Sequence, residues 1–317
     1  MAIVPNEIEL DTRAGVLAGL EWGNPSDRPF LALHGWLDNA ASFSNLGKHL
    51  TGYHLVAIDL PGHGKSMHRS PRSTYHLIDC ADDVLNAADA LGWNRFGMIG
   101  HSLGAGIASL VAGAVPERIT ELVLIDGIGP ISNQPGDAPK QLRQALLQRR
   151  ERGKREPKIY PDIETAIAAR QGVGDLSSTS VEYLVRRGLR KTAGGYSWRH
   201  DRRLTLPSPL YLTEPQVLAF LRSISARTLL IKAIGGLIDR FGSIERIVSV
   251  PNISVVELPG GHHLHLENPL PVAEAILKFL ADESSSDEAI NRTVTPRMPG
   301  EAIISGDLRC PTDDDPH

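Results

Sequence analysis

The residues best suited to chemistry in this chain gather at Gly100-His101-Ser102-Leu103-Gly104. A serine hydroxyl is a weak nucleophile until a base removes its proton, so it must be held where a base can reach it. An apolar run at 96–99 leads into this segment, and Ala105, Ile107, Ala108, Val111 and Ala112 follow at helical spacing. Strand, sharp turn and helix in that order make a nucleophile elbow, which presents the serine at a strained corner. Gly100 and Gly104 flank it at two-residue spacing, where a Cβ would collide with the neighbouring strand or helix. A chance Gly-x-Ser-x-Gly in a loop lacks both flanking elements. The chemistry implied is nucleophilic attack by Ser102.

An elbow needs a sheet to stand on. Residues 7–22 alternate around Gly15 and Gly19 and predict an opening hairpin. Short apolar runs at 29–33, 54–60, 121–125, 227–233 and 253–258 predict further strands. Leu77, Ile78, Ala81, Val84, Leu85, Ala88 and Leu91 repeat at three and four, so 75–93 predicts an amphipathic helix, and 269–281 a last one. Strands alternating with helices give an α/β fold with a mostly parallel central sheet and helices on both faces. The C-terminal ends of these strands carry Gly, His, Ser and Asp, which places a site along that edge.

Residues 129–222 differ in character. They open on a loop rich in Pro, Gly and Asn, then predict helices at 140–156, 163–170, 179–189 and 214–222, the last with Thr213 as N-cap. A helical block before the penultimate strand reads as a lid over the site. Its basic run at 140–156 reads as a solvated helix face. The expected organisation is an α/β core at 1–128 and 223–282, the lid at 129–222 and a polar, disordered tail at 283–317.

Composition narrows the class. The chain has 317 residues and a net charge of −4, so no global basic field marks a nucleic-acid binder. Cys80 and Cys310 are its two cysteines and make no disulfide framework. Glu7 and Glu9 interrupt the N-terminal segment, which does not read as a secretory signal, and no apolar run is long enough to span a membrane. The expectation is a soluble, cytoplasmic protein acting on a small molecule. Gly64-Lys65-Ser66 has the ending of a phosphate loop, but position 59 is Asp where that loop needs Gly.

Together, His34-Gly35-Trp36, Asp59 with Gly62-His63-Gly64 and Ser66, the elbow, and Gly260-Gly261-His262 resemble the α/β-hydrolase superfamily, in its chain order. More narrowly, 34–40, 93–96 and 229–233 are similar to the serine hydrolase-like proteins within it. The resemblance implies hydrolysis of a carboxylic ester or thioester through an acyl-enzyme on Ser102, without a cofactor. His262, after two glycines at the end of the last strand, is the candidate base. The implied oxyanion hole is the backbone N–H of Leu103 and that of Trp36. Trp36 and His101 are candidate substrate contacts, although the Trp36 ring could instead pack against core or lid. His263 and His265 crowd the same loop as His262, yet no Cys or acidic ligand accompanies them, so no metal is expected and both read as packing or supporting residues. A serine at the elbow sets the chain apart from relatives that use aspartate there. A different role also stays open: binding a small ligand, with hydrolysis slow or vestigial.

The acid that orients His262 has two candidates. The family usually places it just after the strand at 227–233, where this chain has Gly235 and Gly236. Asp239 is the nearest acid beyond them. Asp126 stands at the end of the preceding strand, on a rigid element, and is the favoured choice, with Asp239 the alternative.

Overall fold

The structure, a computed structural model, describes residues 4–152, 158–172, 176–238 and 244–282. In chain order its strands are β1 (Asn6–Thr12), β2 (Gly15–Trp22), β3 (Arg28–Leu33), β4 (Tyr53–Ile58) and β5 (Phe96–His101). They continue as β6 (Ile119–Ile125), β7 (Leu189–Thr192), β8 (Gly195–Trp198), β9 (Arg227–Ile234) and β10 (Ile253–Pro259). The helices are α1 (Asp79–Ala90), α2 (Leu103–Ala114), α3 (Ala138–Arg152), α4 (Ile163–Gln171) and α5 (Ser178–Gly188). After them come α6 (Glu214–Arg222), α7 (Ile244–Val248), α8 (Leu264–Glu267) and α9 (Pro269–Ala281).

Eight strands make one sheet in the order β1-β2-β4-β3-β5-β6-β9-β10. The opening hairpin joins it antiparallel through β2 and β4, and every other pair is parallel. Parallel strands covered on both faces need no polar side, which is why β5 is buried along its whole length and β3 from Phe30 to Leu33. Leu31, Leu33, Met98, Leu122, Leu124 and Leu230 form a continuous core with Ala105, Ala108 and Val111 of α2. The order reverses between β4 and β5, with β3 beside both, so the ends of β3, β5, β6 and β9 open onto one crevice.

Two expectations shift. Helix α1 begins at Asp79 rather than at 75, because Tyr75 is drawn out of the helix: its hydroxyl donates to Asp201 Oδ2 (2.9 Å) and accepts from the Arg69 N–H (3.0 Å). The stretch at 189–198 also folds as the two-stranded hairpin β7–β8, which the sequence pattern did not announce. The inserted helices expected at 163–170, 179–189 and 214–222 form within about a residue of those bounds, and the one expected at 140–156 is helical as far as Arg152, its remainder lying outside the described residues. Thr213 caps α6, and Gln216 Oε1 accepts from the Thr213 N–H (2.8 Å) to close a capping box. Val181, Leu184 and Val185 of α5 bury against Ala166 of α4, Tyr160 and Leu266, so the insertion packs onto the loop that follows β10.

A buried ion pair ties the insertion to the core. Arg187 of α5 reaches Asp59 at 2.9 Å and Glu7 at 2.8 Å. Asp59 also accepts from the N–H groups of Ala40 and Lys65, both at 2.7 Å. Its carboxylate also occupies the space that a Cβ on Gly64 would need.

The unit Met1–Phe279 holds the whole sheet and the inserted helices. Of the unit Leu280–His317, only residues 280–282 are described, so the tail expected at 283–317 lies outside the described residues. Among the described residues no helix is long and apolar enough to cross a membrane.

Candidate active site

Ser102 sits between β5 and α2 at φ 53° and ψ −113°, a corner that a side-chain-bearing residue adopts only under constraint. The constraint is packing. A Cβ on Gly100 would meet the Gly104 carbonyl at 2.5 Å, and one on Gly104 would run into the Leu33 carbonyl. The corner therefore closes only with glycine on both sides of the serine. The Ser102 N–H donates to the Ile125 carbonyl (3.1 Å), and its hydroxyl does not cap α2.

Asp126 ends β6 at φ 44° with its side chain fully buried. Its Oδ2 accepts from the Leu237 N–H (2.8 Å) and from His262 Nδ1 (2.7 Å). That bond fixes the imidazole with its proton on Nδ1, which leaves the Nε2 lone pair for a hydroxyl proton. Gly127 packs so closely on the elbow that a Cβ there would lie 3.1 Å from Ser102 Cα. Ser102, Asp126 and His262 are thereby gathered at the ends of β5, β6 and β10.

The loop after β3 is held from below. His34 is fully buried, its Nδ1 donating to the Gly35 carbonyl (2.7 Å) and its Nε2 accepting from the Leu60 N–H (3.0 Å). Burial pushes its pKa down, against the pull of Asp59 and Asp38, so it keeps one neutral tautomer. Beyond Gly35, Leu37 stands at φ 61°. Leu37, Ser102 and Asp126 are the non-glycine residues with positive φ among those described, and all three follow strand ends at this crevice. Strain of this kind, about 1–3 kcal/mol each, persists where surrounding structure enforces it.

Sequence reasoning missed Asp38. This buried carboxylate accepts from His263 Nε2 (2.9 Å) on Oδ2 and from Arg170 of α4 (3.1 Å) on Oδ1. Burial alone would raise its pKa, but the His263 hydrogen bond and Arg170 outweigh that and hold it well below the usual carboxylate range. Its position four residues after His34 was the available signal. His265 Nε2 meets Ser42 Oγ at 2.7 Å, with both residues fully buried. The expectation that no acidic ligand accompanies these histidines is corrected, because Asp38, His101 and His263 bring ligand atoms within 4.8 Å of one another.

Of the remaining candidates, Trp36 is half exposed, and its indole donates to the Leu204 carbonyl (3.0 Å), bridging to the insertion. His101 is corrected: it is wholly buried beneath His262, His263 and His265, its ring 4.5 Å from that of His262, and so is not a substrate contact. Asp239 lies outside the described residues.

The sequence model of the alpha/beta hydrolase fold matches residues 28–269. The chain belongs to the α/β-hydrolase family. Within that family it is 31% identical to the serine hydrolase-like protein of Danio rerio, over 88% of this chain and 89% of that one. Among solved structures, the hypothetical protein PA1622 of Pseudomonas aeruginosa is 42% identical with a TM-score of 0.83, covering 87% of this chain and 99% of that one. A thioesterase domain from the curacin biosynthetic pathway is 26% identical with a TM-score of 0.75, covering 86% of this chain and 99% of that domain. An α/β hydrolase with a serine at the elbow and a histidine–carboxylate pair beside it has the parts for acyl transfer to water.

Proposed function

We propose that this α/β hydrolase cleaves a carboxylic ester or thioester through an acyl-enzyme on Ser102. The observation that carries the reading is the 2.7 Å bond from His262 Nδ1 to Asp126 at the end of β6, beside the elbow. His262 Nε2 takes the Ser102 proton as Oγ attacks the carbonyl carbon. Asp126 holds the imidazole in the required tautomer and stabilises the imidazolium that forms. The oxyanion is met by two backbone N–H groups. Leu103 opens α2, so its N–H has no partner within the helix, and Trp36 follows Gly35 in the loop pinned by His34. As the tetrahedral intermediate collapses, the carbon–oxygen or carbon–sulfur bond breaks and His262 passes its proton to the leaving group. Water then repeats the sequence on the acyl-enzyme and frees Ser102.

The inserted helices act as a lid in this reading. Trp36, tethered to Leu204, lines the way in and contacts the acyl or leaving group. Support for an acyl substrate comes from the elbow chemistry and from likeness to a thioesterase domain. Covalent labelling by a fluorophosphonate probe tests it: labelling of wild type that disappears in Ser102→Ala supports the reading. Wild-type protein that takes no label, and turns over no p-nitrophenyl or thioester substrate, would leave ligand binding as the role of this pocket.

A further inference from the structure

His101 holds an unused lone pair. Its Nε2 lies 2.9 Å from the His262 carbonyl, which can only accept, so the proton is on Nε2 and Nδ1 is bare. Nδ1 is buried without a hydrogen-bond partner, although buried polar atoms of folded proteins nearly always have one. It faces the gap left by the missing side chain of Gly35. A Cβ built there would lie 3.0 Å from His101 Nδ1 and 3.2 Å from Asp38 Oδ2. On the far side of that carboxylate oxygen stands His263 Nε2, at 2.9 Å. Three ligand atoms, from the loop after β3, the end of β5 and the segment after β10, thus surround one small space, all within 4.8 Å of one another.

We propose that this space is a site for one divalent transition-metal ion of the zinc or cobalt type, bound by Asp38 Oδ2, His101 Nδ1 and His263 Nε2. Two imidazoles and one carboxylate suit Zn²⁺ and Co²⁺ and not Ca²⁺ or Mg²⁺, which want oxygen ligands. Bonds of about 2.1 Å set tetrahedral ligand atoms about 3.4 Å apart and leave a fourth position open, so Asp38 Oδ2 and His263 Nε2, now 2.9 Å apart, would part slightly to admit the ion. His263 moves its proton from Nε2 to Nδ1 to join the set. Arg170 can stay where it is, since it holds the other oxygen of Asp38. His263 is the most exposed member of the group and marks the way in.

Titration of tag-free protein with Co²⁺, followed by visible absorption and by metal content after gel filtration, tests the site directly. Wild type should take up one Co²⁺ with ligand-field bands, displaced by Zn²⁺. His263→Gln and Asp38→Asn, checked for folding by thermal melts, should each bind at least about tenfold more weakly. Should Asp38→Asn fail to fold, His263→Gln decides alone. Absence of a one-to-one complex in wild type, or unchanged affinity in the folded variants, overturns the site.

Discussion

Gly236 and Asp126 share one space: a Cβ on Gly236 would lie 2.6 Å from Asp126 Oδ1 and closer still to Oδ2. The turn after β9, where the family usually carries its acid, instead folds its bare backbone over a carboxylate supplied by β6. The Leu237 N–H bonds that carboxylate at 2.8 Å, so the turn orients Asp126 although it contributes no acid. Gly236→Ala should therefore displace the carboxylate and lower kcat by about 10²-fold, as an ångström of misplacement can. Steady-state kinetics beside a thermal melt checks this, and a folded Gly236→Ala with normal kcat would remove Asp126 from the mechanism.

Replacing the acid by its amide asks the same question more directly. Asp126→Asn keeps the shape but leaves His262 in the wrong tautomer, and kcat should fall by about 10⁴. Asp239→Asn should leave turnover near normal. The reverse pattern would make Asp239 the working acid.

Ser102→Ala should keep its fold, because the elbow is held by Gly100, Gly104 and backbone contacts rather than by the hydroxyl. Ester turnover should drop below about a thousandth of wild type, the level that oxyanion stabilisation and binding alone sustain. Residual activity well above that level would sink the assignment.

His262→Ala should match Ser102→Ala, since members of a triad act as a unit. His263→Ala and His265→Ala should be milder: one contacts Asp38 and the other Ser42, and neither reaches Asp126. Treatment with a chelator should not lower activity. Were His263 the indispensable residue, the register of this loop would have been misjudged.

The elbow could be read in the sequence because each of its constraints is local. Gly100, Ser102 and Gly104 lie within one turn, and the strand and helix around them keep their own periods. Asp126 was legible for a related reason, standing at the end of an apolar strand on a rigid element. The partnership of Asp38 with His263 and Arg170 was not, because it joins residues 225 and 132 positions apart and no periodic pattern records such a contact. Arg187 was hidden in the same way among the arginines of the insertion, where composition suggests solvent and the fold supplies Asp59. The early start expected for α1 failed because Tyr75 is claimed by Asp201, which is 126 positions away.

Arg187→Met should be costly for stability rather than for chemistry. It leaves Asp59 buried and without its cation, and breaking a buried pair from one side costs about 3–5 kcal/mol. Adding Asp59→Asn should recover part of that loss. Urea denaturation measures both variants, and a single variant within about 1 kcal/mol of wild type would show that the pair holds little of the insertion in place.

Stability should decline on acidification well before the carboxylates titrate. His63 is buried, and burial, with His34 beside it, pushes its pKa down to about 3, only partly offset by its contact with the Pro61 carbonyl. In the unfolded chain the same imidazole takes its proton near pH 6.5. Between about pH 6.5 and 3 the unfolded state therefore binds one more proton than the folded state, so unfolding becomes easier as pH falls. One such group contributes a slope of about 1.4 kcal/mol per pH unit over that window. His34, His101 and His265 are shifted the same way by burial and steepen it. Asp38, with its pKa lowered in the fold, adds a further loss only as pH drops below the ordinary aspartate range. His63→Gln removes one titrating group. Its unfolding free energy, measured in urea at several pH values, should change with pH less steeply than that of wild type by about 1.4 kcal/mol per unit between pH 6 and 4. Parallel curves for the two proteins would mean that His63 takes up its proton in the folded state as readily as in the unfolded one.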